Sequence, residues 1–156
     1  MGKRAMELAE RFKAFNEEVI RFVTDCTDEN WGKASPGEQW SVGVIIRHIA
    51  ASHFGALKLA KMMVAGEPLP ELTAAAIDQM NAKHAEAHRH CTRDEVLGVL
   101  RESGASVARF VAGLRDEDLD RKGHIAAVGG DMTAKQVVGI IMIQSGKEHL
   151  ASAKSA

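Results

Sequence analysis

The chain has 156 residues, of which 46% are hydrophobic and 26% charged, with a net charge of −1; that length supports one domain, residues 1–156, with a core that needs neither metal nor disulfide to form. Lys and Arg are interspersed with Asp and Glu, so no basic stripe offers a nucleic-acid footprint. Aromatic residues make up 4% and Tyr is absent, so the apolar content comes from Ala, Val, Ile, Leu and Met, which suits helix-on-helix packing better than a β-sandwich. Cys26 and Cys91 form no close pair, and two free thiols fit a reducing compartment. The N-terminus lacks the apolar segment of a secretory signal. The apolar run 137–143 contains a glycine and is too short to span a bilayer. These features together predict a cytoplasmic protein with no membrane partner.

In chain order, the first helix is expected over about Ala5 to Thr24. Leu8, Phe12, Phe15, Val19 and Phe22 recur there at spacings of three and four, which lines one face with apolar groups. Turn residues dominate 25–37, including Gly32, Pro36 and Gly37. Ser41 is a fitting N-cap for a second helix, with Ile45, Ile49, Ser52, Ala56, Leu59 and Met63 as its core stripe. His48 borders that stripe and can face inward. His53, five residues further on, is expected to turn away to the surface or an interface. The helix ends at Gly66-Glu-Pro-Leu-Pro.

Residues 72–90 predict a shorter helix inside a long crossover. Thr92-Arg-Asp-Glu95 is a capping box, and it opens a helix striped by Val96, Leu100, Ser103, Val107, Val111 and Leu114. Arg115 to Gly130 reads as a polar connection. A second capping box, Thr133-Ala-Lys-Gln136, opens the last helix, where Val137, Ile141, Ser145 and His149 follow at intervals of four. Polar groups that continue an apolar stripe mark the interior of a bundle. Gly43, Gly55, Gly98, Gly104, Gly139 and Gly146 all fall within expected helices, and each costs about 1 kcal/mol relative to Ala. Close approach between helices would compensate.

Three groups could carry chemistry. His48 and His149, on separate helices, could share one divalent ion, with Ser145 standing four residues before His149 where a second helical ligand would project. On spacing alone His48 reads first as a core or boundary histidine bonded to a neighbour. His84 and His88 are themselves an i, i+4 pair, either a solvated helix end or additional ligands. Cys91 precedes a helix N-terminus, whose dipole would lower a thiol pKa; a bystander thiol is the simpler reading for it and for Cys26. No phosphate-binding loop, dinucleotide-binding turn or His-Glu-x-x-His is present.

Taken together, Trp40-Ser41-x6-His48-Ile49-Ala50, Asn81 after a Pro-containing loop, Thr92-x-x-Glu95-Val96-Leu97 and Lys147-Glu148-His149-Leu150 resemble the DinB-like (YfiT-like) metalloenzyme superfamily across nearly the whole chain. The resemblance implies an all-α four-helix bundle with a long crossover between the second and third main helices, and a homodimer. It implies a zinc or nickel site built from one second-helix residue, matched by His48, and two last-helix residues four apart, matched by His149 and, in place of the usual ligand, Ser145. It also implies thiol S-transferase-like chemistry with a low-molecular-weight thiol and a small-molecule substrate, with catalytic residues unassigned. His84 or His88 could complete the shell. A non-catalytic small-molecule binder, with Gln144, Ser145 and His149 at the polar end of its cavity, or a purely structural dimer, is the alternative.

Overall fold

The computed structural model describes residues 2–156. In chain order these form α1 (Lys3–Asp25), α2 (Asp28–Trp31), α3 (Val42–Ala65), α4 (Ala74–Ala87), α5 (Arg93–Ala112) and α6 (Asp116–Leu119). A hairpin of β1 (Lys122–Ile125) and β2 (Gly130–Thr133) follows, then α7 (Ala134–Gln136), a π-helical stretch (Val137–Gln144) and α8 (Ser145–Lys154). The last three run on as one rod. With α1, α3 and α5 this rod makes a four-helix bundle, and α4 lies in the crossover between α3 and α5.

The caps form as the sequence dictates. Ser41 Oγ accepts from the Val44 amide, and both Thr92–Glu95 and Thr133–Gln136 close reciprocal boxes. Gly66 ends α3 in the left-handed conformation, at φ 72°, where a side chain would be strained.

The core lies between α1, α3, α5 and the last rod. Val96, Leu100, Ser103, Val107, Val111 and Leu114, the full stripe predicted for α5, are buried. In α1, Leu8, Phe12, Phe15 and Val19 are buried and Phe22 is half-buried. Truncating a fully enclosed ring such as Phe12 should cost about 3–5 kcal/mol. Gly104 and Gly146 compensate their helix cost by close approach. A Cβ on Gly104 would meet the Asn16 amide at 2.1 Å, and one on Gly146 the Phe15 ring at 2.5 Å.

Four expectations are corrected. First, α3 packs against both α5 and the last rod, so it buries more than one stripe: Val42, Ile46, Ala50, His53, Leu57 and Ala60 are enclosed alongside Ile45, Ile49, Ala56 and Met63. His53 is therefore fully buried, not a surface residue. Second, the 115–130 connection is not simply polar. It holds α6 and the β1 strand, and its Leu119 and Ile125 join the core, with Met132 of β2 beside them. Third, the 25–37 turn region contains the short helix α2, capped by Thr27. Fourth, the π stretch breaks the four-residue rhythm of the last rod. Its buried line runs through Val138, Met142, Gly146, Leu150 and Ala153, leaving Ile141, Ser145 and His149 half-buried at its border. Among the described residues no helix is long and apolar enough to cross a membrane.

Candidate functional site

His48, half-buried in the second turn of α3, and His149, on α8, bring their rings together with centroids 4.9 Å apart and planes at 85°. Two imidazoles on one tetrahedral ion would have centroids about 5 Å apart, given metal–nitrogen distances of ~2.0–2.1 Å. The Trp40 ring packs edge-on against His48 at 5.4 Å, and His84 approaches the same ring from α4 at 6.0 Å. His88 lies one turn beyond His84, with ring centroids 4.5 Å apart. The crossover histidines thus join the same cluster as His48 and His149. Ser145 is half-buried one helical turn before His149. Gln144 does not join them: it is exposed and lines outer grooves beside Arg11 and Gly139. The π stretch turns it outward, so the grouping of Gln144 with Ser145 and His149 is corrected.

One residue of the site carries no signal in the sequence. His149 Nδ1 lies 2.6 Å from Glu38 Oε1. Glu38 precedes α3 and is 111 positions from His149, and no periodicity links them. The loop that delivers it is tied down at several points. The Ser35 amide donates to the Trp40 carbonyl at 2.8 Å and the Gln39 amide to the Ser35 carbonyl at 2.9 Å, while Ser35 Oγ donates to the Ser152 carbonyl on α8 at 3.1 Å. Gln39 adopts a left-handed φ of 61°, which is unfavourable for a residue with a Cβ. That kink separates Glu38, facing His149, from Trp40, facing His48.

The electrostatics suit a lone-pair donor. Burial, reinforced by the neighbouring His149 and His84, pushes His48 down to about 4, so its imidazole is neutral at physiological pH. A carboxylate only accepts hydrogen bonds, so Glu38 fixes the proton of a neutral His149 on Nδ1 and leaves the lone pair on Nε2. Glu38 Oε2 is buried without a partner. The two histidines and their carboxylate therefore fit two places around a divalent ion. A third is not preformed: among the described residues no three His, Cys, Asp or Glu side chains come together as a metal-holding group.

The thiols behave differently from the dipole argument. Burial pushes both Cys26 and Cys91 up, outweighing their cationic neighbours Arg93 and Arg47 respectively. Neither is an activated nucleophile. Away from the cluster, His53 Nδ1 lies 3.1 Å from Ser103 Oγ, and its ring meets Phe12 edge-on at 5.0 Å.

A four-helix bundle with a long crossover and a histidine cluster between its second and last helices defines the class of protein. Residues 11–147 match the DinB superfamily, and the chain belongs to that family. The fold is similar to that of YfiT from Bacillus subtilis, described as "a probable metal-dependent hydrolase with an unusual four-helix bundle topology", with a TM-score of 0.79 at 15% identity over 99% of this chain and 86% of that one. No curated protein matches the sequence.

Proposed function

We propose that the protein binds a divalent metal, zinc or nickel, between His48 and His149, and uses it on a small-molecule substrate. The observation that carries this reading is the 4.9 Å convergence of the two rings, with Glu38 holding His149 from behind at 2.6 Å. Metal-bound histidines characteristically present one nitrogen to the ion and the other to a carboxylate or carbonyl. The family membership and the description of YfiT point the same way.

When bound, the ion would supply Lewis acidity and lower the pKa of a coordinated thiol or water. The chain's own contributions are separate. His48, neutral through burial, keeps its lone pair available. Glu38 holds the His149 proton on Nδ1 and so sets that ring's orientation. Trp40 packs on His48 and shields it from water on one side. Ser145, a weak donor in place of an imidazole, leaves a coordination place open to substrate. A low-molecular-weight thiol is the first co-substrate to test in that place, which would make the protein S-transferase-like.

A second reading, a non-catalytic small-molecule binder, is favoured by one observation: no third strong donor converges with the two histidines among the described residues. Elemental analysis separates the two. The metal reading expects near-stoichiometric zinc or nickel in protein purified without chelator, lost in His149→Ala and retained more tightly in Ser145→His. Protein that stays metal-free after dialysis against zinc would leave the binder.

A further inference from the structure

Among the described residues two arginines, Arg47 and Arg93, are withdrawn from full exposure. Arg93 is fully engaged: it donates to the Cys26 carbonyl and pairs with Asp28 at 2.7 Å. Arg47, next to His48 on α3, has no carboxylate within salt-bridge range among the described residues. Its one side-chain hydrogen-bonding partner among the described residues is His84 Nε2 on α4, at 3.5 Å. A partly buried guanidinium without a counter-charge is costly, and its planar fork of donors matches a carboxylate.

His84 fixes where that guanidinium sits. Arginine can only donate, so a ring nitrogen facing Arg47 must accept, and a neutral imidazole then carries its proton on the other nitrogen. That nitrogen, Nδ1, is buried with no partner. The ring therefore offers its Nε2 edge to the Arg47 guanidinium and points its Nδ1–H away from it, and it lies 6.0 Å from the His48 ring. The same tautomer removes His84 from the metal shell, because a protonated Nδ1 has no lone pair and Nε2 is taken up by Arg47.

We infer that Arg47, its guanidinium positioned by His84, forms a receptor for one carboxylate, and that the small molecule taken at this cluster is a monocarboxylate whose other end reaches His48 and His149. A single negative charge is favoured because one unpaired cation faces it. Glu95, close enough to act on His88 and Cys91, and Glu38 across the cluster oppose a second. The placement of the far end rests on the metal reading above; the carboxylate receptor does not.

Butyrate, its uncharged analogue butyramide and inorganic phosphate can be titrated into ¹⁵N-labelled protein, both zinc-loaded and chelator-treated, with amide and arginine side-chain resonances followed. Saturable binding of butyrate is expected in both preparations, centred on Arg47 and His84, with butyramide and phosphate markedly weaker. Arg47→Gln should weaken butyrate binding about tenfold or more, the equivalent of a lost charge-assisted hydrogen bond, and Arg47→Lys should recover part of it. Butyrate and butyramide binding alike, a stronger response to phosphate, undiminished binding by Arg47→Gln, or no saturable binding would each overturn the carboxylate receptor. A wild-type protein that never takes up zinc, yet binds butyrate through Arg47, would overturn the metal reading alone.

Discussion

At the level of single residues, the site depends on a hydrogen bond that joins two ends of the chain. Glu38 and His149 are both largely shielded, at 21% and 26% side-chain exposure, so their 2.6 Å contact is less screened by water than a surface pair. Removing the carboxylate's charge should free the His149 ring to choose its other tautomer. Glu38→Gln is expected to lower zinc affinity about 10- to 100-fold, the usual effect of losing a ligand's outer hydrogen bond, while leaving helix content unchanged. Competition against a chromogenic chelator, beside a circular dichroism spectrum, checks both parts; unchanged affinity would mean Glu38 does not orient the ligand. The sequence makes His48 and His149 legible because each lies beside an apolar stripe at helical spacing. Glu38 was not legible, since its position depends on a loop kinked at Gln39 and tied to α8 through Ser35 and Ser152. Such tertiary ties leave no periodic trace. Gln144 is illegible for the converse reason: its sequence carries an α-helical period where the chain is π-helical.

For the elements, the legible parts were those with local causes. Both capping boxes, the Ser41 cap, the Gly66 stop and the α5 stripe follow from short-range chemistry. His53 is buried because a helix packed against two neighbours encloses more than one face, which a single stripe cannot reveal. The helical glycines separate on the same ground. Gly146 sits where α8 meets the Phe15 ring, whereas a Cβ at Gly98 would meet nothing within 4 Å. Gly98→Ala should therefore stabilise the protein by about 0.5–1 kcal/mol through helix propensity. Gly146→Ala should destabilise it by about 1–3 kcal/mol through overpacking against a buried aromatic ring. Urea denaturation of both variants tests the pair; a destabilised Gly98→Ala would contradict the open face of α5 at that position, and a stabilised Gly146→Ala the packing of α8 on α1.

Across the whole molecule, the bundle encloses several imidazoles in their neutral form. Burial holds His48, His53 and His84 each at about 4, with neighbouring positive groups adding to the effect for His48 and His84. The unfolded chain takes up protons near 6.5, so between there and about 4 it binds more protons than the folded chain does. Stability consequently rises with pH in this window and is lost as pH falls through it. His53 gives the cleanest case, being fully buried and outside the His48–His149 cluster, with desolvation as its one cause. Its shift corresponds to about 3 kcal/mol once the solution is acidified below both values. Chelator-treated protein should therefore show a falling free energy of unfolding from neutral pH towards pH 5. His53→Gln, which keeps a polar group opposite Ser103 but cannot titrate, should show a shallower fall, even if its stability at neutral pH is lower. Equal slopes for the two proteins would mean that His53 is protonated inside the folded bundle, and the neutral, desolvated core drawn for α1, α3 and α5 would have to be abandoned.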